Sequence, residues 1–198
     1  MLASASPRRQ ELLKNAGVEF VVRPANIPEV RRADEAPQAF AERMAQEKAR
    51  AVFATEKDQY VLGADTVVVV AAGRGATGVS PVHSDLVLGK PENEEDAARM
   101  LRLLSGRKHH VITAVCLIGL GFEDVRSETT AVHFSALTDA DIRQYITTGE
   151  PMDKAGAYAI QGGASRWISK IEGDYSNVVG LPVALVQQML RDHRLGES

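Results

Sequence analysis

Between residues 60 and 70 the chain reads Tyr-Val-Leu-Gly-Ala-Asp-Thr-Val-Val-Val-Val, its strongest strand signal. β-branched side chains suit a pleated, packed surface, and an unbroken run of them reads as a strand buried on both faces. Such a strand needs cover on each side, which directs the chain toward a sheet flanked by helices. Asp65 interrupts the run. A carboxylate is costly to bury alone, so a cation, a metal, a phosphate-binding environment or neighbouring backbone N–H groups must meet it.

The other segments supply the cover. Ser6 is a preferred N-cap and Pro7 falls at the first helical position, ahead of a helix through Leu12, Leu13 and Ala16 that stops at Gly17. Short strands are expected at residues 1–3 and 20–22, then an irregular segment with Pro24 and Pro28. A second helix covers 37–54, with Phe40, Met44, Ala51 and Val52 near one face. Residues 71–88 are glycine-rich and unpatterned and read as a long loop or hairpin tip.

Asn93, followed by Glu94, Glu95 and Asp96, caps a third helix whose inner face carries Ala97, Met100, Leu101 and Leu104. Two strands follow near 110–120 and 125–135. Thr138 with Asp141 resembles a capping box and opens a helix to Thr148. After an irregular, glycine-rich stretch, a last helix spans 182–193. Helices alternating with strands, two of them consecutive, predict an α/β protein with a mixed sheet. Ligand sites in such folds gather at strand ends and in clefts.

At 198 residues and 44% hydrophobic content, the chain can build a core of ordinary size, as one domain over 1–198 with room for two lobes. A net charge of −3 gives no global attraction to nucleic acid or to an anionic membrane, so any phosphate site must be local. The single cysteine, Cys116, excludes an internal disulfide, fits a reducing cytoplasm and sits in an apolar run as a buried thiol would. No stretch approaches the ~18 apolar residues of a membrane span, and the start lacks a signal-peptide pattern, so a cytoplasmic protein is expected. The histidines at 83, 109, 110, 133 and 193 lack zinc-site spacing, and His109 and His110 face opposite ways in a strand. A Walker loop, a GxGxxG and a nucleophile elbow are all missing from the sequence.

Polar residues at unusual places mark candidate chemistry. In Ser4-Ala5-Ser6-Pro7-Arg8-Arg9, free N–H groups of a helix start lie beside a serine hydroxyl and two guanidinium groups, which makes an anion site. An ordinary capped helix with two solvated arginines is the plainer alternative. Glu29 and Lys48, taken singly, read as surface residues. Lys90 lies in Gly89-Lys90-Pro91, where the glycine permits close approach and the proline fixes the exit. Asp153-Lys154-Ala155-Gly156-Ala157-Tyr158-Ala159-Ile160-Gln161-Gly162 combines small residues for close packing with amide and phenol groups able to read a ligand.

Taken together, these motifs resemble those of the Maf proteins, nucleoside triphosphate pyrophosphatases once described as septum-formation inhibitors. The resemblance runs from Leu2 through Arg9, by Gln46-Glu47-Lys48-Ala49, Gly63-Ala64-Asp65-Thr66-Val67-Val68, Gly89-Lys90-Pro91 and the 153–162 stretch, to Gly180-Leu181-Pro182. Ser-Pro-Arg-Arg and Ala-Tyr-Ala-Ile-Gln-Gly are similar to the branch acting on dTTP and UTP, and differ from the sister branch acting on 7-methyl-GTP. The resemblance implies a curved mixed sheet with two lobes around a central cleft, a fold shared with inosine triphosphate pyrophosphatases. It also implies a divalent metal (Mg²⁺ or Mn²⁺) and a homodimer.

Carried over by residue, Ser4, Arg8 and Arg9 would hold the phosphates with Lys48 and Lys90, and Gln161 would face the base or the phosphate end. Asp65 matches the family's catalytic aspartate and Glu29 its other acidic site residue, the pair that would hold the metal. Three departures stand out. The start is a few residues shorter than usual, Glu29 follows Pro28 where a second acidic residue is usual, and residues 73–88 carry an insertion. Two other functions use the same cations: a non-catalytic nucleotide-binding regulator of cell division, and hydrolysis of deaminated purine triphosphates. Asp65 favours an enzyme over the first, since binding a polyanion gains nothing from a carboxylate without a metal. The Ser-Pro-Arg-Arg opening disfavours the second.

Overall fold

The β-branched run is a strand, β1 (Val61–Val70), buried along its length except at Thr66. It belongs to a computed structural model that describes residues 1–71 and 85–195. Helices α1 (Pro7–Asn15) and α2 (Pro37–Phe53) precede it. There follow β2 (Leu86–Leu88), α3 (Glu94–Leu104), β3 (Lys108–Gly119), β4 (Phe122–Phe134) and α4 (Asp139–Ile146). Three 3₁₀ turns, Glu150–Asp153, Ala155–Ala157 and Gly163–Trp167, lead to β5 (Ile168–Glu172), α5 (Tyr175–Val179) and α6 (Val183–Asp192).

The five strands pair in the order β2-β1-β3-β4-β5, and the sheet is antiparallel rather than mixed. Among the described residues, parallel pairing is confined to isolated bridges from Leu2 to Val22 and to Leu62. The reason lies in the connections. The early segments linked by helices, which are the ones that can run parallel, shrink to single bridging residues at 2 and 22. The longer strands β3 and β4 are joined by a tight turn, with Gly121 at φ 84°, and a tight turn forces antiparallel pairing.

Other expectations also change. Residues 86–88, at the end of the stretch read as a long loop or hairpin tip, form a strand that pairs antiparallel with β1 through Val68↔Leu88, Val69↔Val87 and Val70↔Leu86. The glycine-rich stretch before the last helix contains β5 and α5. On α2 the buried face holds Phe40, Met44 and Val52 as expected, together with Ala41, Ala45, Lys48 and Ala49, while Ala51 is exposed. Residues 72–84, which include most of the insertion and His83, lie outside the described residues.

The chain forms two compact units, and β1, β3 and β4 contribute residues to both. The first comprises Met1–Thr66, Ile112–Thr129 and the residues from Asp174 on. Its core gathers Leu2, Leu13, Leu62, Val115, Leu117 and Met189, among others, so α1 and α6 both pack on the sheet. Burying each such side chain contributes about 1.5–3 kcal/mol. Helix α2 lies unusually close to β1. A Cβ at Gly63 would stand 2.8 Å from the Ala49 nitrogen and closer still to the Ala45 carbonyl oxygen, so only glycine fits there.

The second unit comprises Val67–Val111 and Thr130–Gly173. There α3 buries Ala97, Met100, Leu101 and Leu104, with Asn93 accepting from the Asp96 N–H at 2.8 Å. The Thr138–Asp141 capping box is complete in both directions. His109, Phe134 and Tyr158 pack edge to face, and His109 shares a 2.8 Å hydrogen bond with the Tyr158 hydroxyl. Among the described residues no helix is long and apolar enough to cross a membrane.

Candidate active site

The close seating of α2 on β1 brings a lysine to a buried aspartate. Lys48 stands between Ala45 and Ala49 on the buried face of α2. Asp65 lies two residues after Gly63 and therefore on the same face of β1. Lys48 Nζ donates to Asp65 Oδ1 at 2.6 Å and pairs with Glu29 Oε1 at 2.6 Å. Two carboxylates bound to one ammonium are at most twice that distance apart. Lys48 and Asp65 are 8% and 7% exposed, whereas the Glu29 side chain keeps 46% of its surface.

Burial raises the Asp65 carboxyl above its usual value; Lys48, then Arg9, pull it back, and Glu29 pushes it further up. The expense of a carboxylate in an apolar strand is thus met by an ammonium, one of the partners the sequence allowed. Lys48 is also paired with Glu29, so it is removal of the lysine that would strand a buried charge, the Asp65 carboxylate, at about 3–5 kcal/mol.

At the N-terminus Ser6 caps α1, its Oγ accepting from the Arg9 N–H at 3.5 Å, with Pro7 opening the helix. Ser4 Oγ accepts from the Ser6 N–H at 3.3 Å and from Arg9 Nη1 at 3.1 Å. Arg9 is turned inward. Its Nε donates to Gly180 O at 2.7 Å, Nη1 also to Ala64 O at 2.9 Å, and Nη2 to Thr66 Oγ1 at 3.0 Å. The plainer alternative of two solvated arginines therefore fails at Arg9. Burial lowers its pKa, Asp65 and Glu29 oppose that, and Arg8 acts as a neighbouring like charge. Ser4, Arg8, Arg9, Glu29, Lys48 and Asp65 thus all belong to the first unit.

Lys90 and Gln161 belong to the second unit. Lys90 is exposed, and its loop is tied to the 153–162 stretch by the Gly156 N–H donating to Gly89 O at 3.0 Å. Nothing lies within 4 Å of a Cβ built on Gly89. Within the protein the close approach is at Gly156, at φ 69°, where a Cβ would meet Val68 at 2.9 Å. Gln161 is exposed on a turn closed by the Gly162 N–H donating to Ala159 O at 3.1 Å.

The chemistry of these groups suits a phosphate ester and a hard cation. Mg²⁺ is commonly held by one or two carboxylates while substrate phosphates and waters complete its shell. Glu29 and Asp65, already gathered on one cation, fit that role. Among the described residues no group of three or more His, Cys, Asp and Glu could hold a metal.

Several supporting residues had no clear signal in sequence. Thr66 shares a 2.9 Å hydrogen bond with Thr113, which donates to Asn177 O at 2.9 Å, so Arg9 is held by groups from three distant segments. Asp174 caps α5 by accepting from the Ser176 N–H at 2.7 Å, and this short helix presents Gly180 O to Arg9. An Asp-x-Ser pattern before Gly-Leu-Pro was the available signal for that cap.

The chain is similar to known proteins over nearly its whole length. The family model described as Maf-like protein matches residues 1–193. A dTTP/UTP pyrophosphatase of Koribacter versatilis is 54% identical over 96% of this chain and 92% of its own length. Proteins of the same name from Geobacter sulfurreducens (47%, over 96% and 94%) and a Geobacillus species (45%, over 93% and 92%) are also similar. The chain belongs to the Maf family.

Proposed function

We propose that this protein hydrolyses dTTP and UTP, together with modified pyrimidine nucleotides, to the monophosphate and pyrophosphate, using Mg²⁺ or Mn²⁺. The relatives described above are named dTTP/UTP pyrophosphatases, which supports the substrates and the reaction. The observation that carries the proposal is the buried Lys48 ammonium shared between Asp65 and Glu29. Two expectations from the resemblance are retained with it: a two-lobed fold like that of inosine triphosphate pyrophosphatases, and a homodimer.

A nucleoside triphosphate brings about four negative charges, and stabilising its cleavage needs several preorganised cations. Lys48, Arg8 and Lys90 supply them, while Arg9 fixes the Ser4 hydroxyl and the α1 N-terminus beside the phosphates. A divalent ion held by Glu29 and Asp65 would neutralise developing charge on the phosphoryl oxygens. Asp65 orients a water and takes its proton as the water oxygen bonds to the α-phosphorus. The bond from that phosphorus to the bridging oxygen breaks, and pyrophosphate leaves with the electron pair. Burial suits Asp65 to the task, because a raised carboxyl is a better base near neutrality. Gln161 reads the pyrimidine edge, since hydrogen bonds discriminate bases more strongly than shape does.

The test is pyrophosphate release from dTTP, UTP, dCTP, purine triphosphates and 7-methyl-GTP, with Mg²⁺ or Mn²⁺ and with chelator. Release from dTTP and UTP that chelator abolishes is the expected result. Preference for 7-methyl-GTP would overturn the substrate assignment. Nucleotide bound without turnover in the presence of metal would overturn the enzyme and leave the regulator.

A further inference from the structure

The turn that carries Gln161 is clamped at both of its feet by one hydrogen-bonded pair. Tyr145 is almost fully buried on α4, its ring edge-on to Trp167 at 5.2 Å. Its hydroxyl donates to Glu150 Oε1 at 2.5 Å and accepts from the Ala159 N–H at 3.1 Å. Glu150 in turn accepts from the Gly163 N–H, at 3.1 Å to Oε1 and 3.2 Å to Oε2. Ala159 and Gly163 flank the turn, and the Gly162–Ala159 hydrogen bond closes it.

The local sequence is built around this clamp. A Cβ on Gly162 would collide with the Glu150 carboxylate, and one on Gly163 would press the Tyr145 ring at 3.3 Å. The two glycines after Gln161 therefore let the pair reach the backbone. Gly149, left-handed at φ 72°, turns the chain at the end of α4 so that Glu150 returns toward Tyr145. Lys154 Nζ anchors the same bend by donating to Glu150 O at 2.8 Å. Burial and the Glu150 charge hold the Tyr145 phenol in its protonated, donating form.

We infer that Tyr145 and Glu150 are positioning residues for base selection, fixing the turn that aims Gln161 at the pyrimidine. The inference rests on the substrate reading given above, in which Gln161 reads the base. A bound base gains discrimination from an amide only when that amide is held in place, because a loose donor adapts to either edge. Neither Tyr145 nor Glu150 needs to touch the nucleotide.

The experiment measures kcat/KM for dTTP and for dCTP in the wild type and in Gln161→Ala, Tyr145→Phe, Glu150→Ala, Glu150→Gln and Glu150→Ala/Gln161→Ala. Gln161→Ala, Tyr145→Phe and Glu150→Ala each lower the dTTP-to-dCTP ratio, by about tenfold. The double variant falls no further than Gln161→Ala, as expected of groups acting as one unit. Glu150→Gln restores the ratio, because its amide oxygen still accepts from the phenol and from Gly163. Tyr145→Phe keeps the ring against Trp167 and carries the test if Glu150→Ala does not fold. An equal fall for both substrates with the ratio unchanged would overturn the inference and leave a structural role alone. A ratio insensitive to Gln161→Ala would also overturn it. A wild type that hydrolyses neither nucleotide would instead overturn the substrate reading, and the inference with it.

Discussion

Gly63→Ala tests whether the seating of α2 on β1 builds the site. The added methyl would lie 2.8 Å from the Ala49 nitrogen, 2.9 Å from its Cβ, and nearer still to the Ala45 carbonyl oxygen. All three neighbours belong to one helix, and two are backbone atoms, so no side chain can swing aside. Relief requires α2 to withdraw by on the order of 1 Å, and overpacking of this kind costs about 1–3 kcal/mol or somewhat more. Replacing glycine inside a strand returns about 0.5–1 kcal/mol through the unfolded chain. A net loss of about 2 kcal/mol follows, read as a lower urea midpoint by circular dichroism.

The same withdrawal pulls Lys48 from Asp65, now 2.6 Å apart, and a misplacement of about 1 Å typically lowers kcat/KM by about 100-fold. Gly89→Ala is the control, with nothing within 4 Å of the new methyl and an unchanged midpoint expected. A Gly63→Ala protein with wild-type midpoint and wild-type kcat/KM would refute the reasoning.

Other outcomes follow from single contacts. Arg9→Lys replaces a fork bonded to Gly180, Ala64, Ser4 and Thr66 by a point donor, leaving interior acceptors unmet. It should lower stability by about 2–3 kcal/mol in urea titration, and an unchanged midpoint would contradict the inward placement. Glu35, held down from 4.5 to about 2 by its hydrogen bonds with Arg43, adds stability that is fully present above pH 4.5 and is lost as pH falls toward 2. Glu35→Gln should therefore flatten the acid limb of stability against pH by about 1 kcal/mol after solvent screening, and an identical limb would count against the pair. Cys116 is buried and its thiol pushed up to about 12, so a disulfide reagent should label it only in denaturant. Rapid labelling of native protein would contradict that burial.

Much of the fold was legible where local chemistry and periodicity agreed. Asn93 and the four-residue stripe of α3 are set by a cap and a 3.6-residue repeat, and both appear as expected. The apolar run of β1 forced a doubly covered strand, and Asp65 within it demanded a partner. What sequence could not supply is which distant group arrives. Lys48 looks like any helical surface lysine until Gly63 draws α2 close enough to bury it. Arg9 looked solvent-facing or phosphate-facing, and the acceptors that turn it inward come from segments far along the chain. The parallel pairing implied by helix–strand alternation faded because the strands concerned are single bridges. Strands as short as β2 and β5 carry too few residues for a period to register.

The most direct measurement is pyrophosphate release from dTTP by Asp65→Asn beside the wild type, each shown folded by its melting curve. Asparagine keeps the shape of the side chain and leaves Lys48 its bond with Glu29, so a native-like melt is expected. Loss of the carboxylate base should lower kcat by about 100-fold to 10,000-fold. A folded Asp65→Asn protein turning over dTTP at the wild-type rate would remove the Lys48–Asp65–Glu29 cluster from the chemistry and contradict the account.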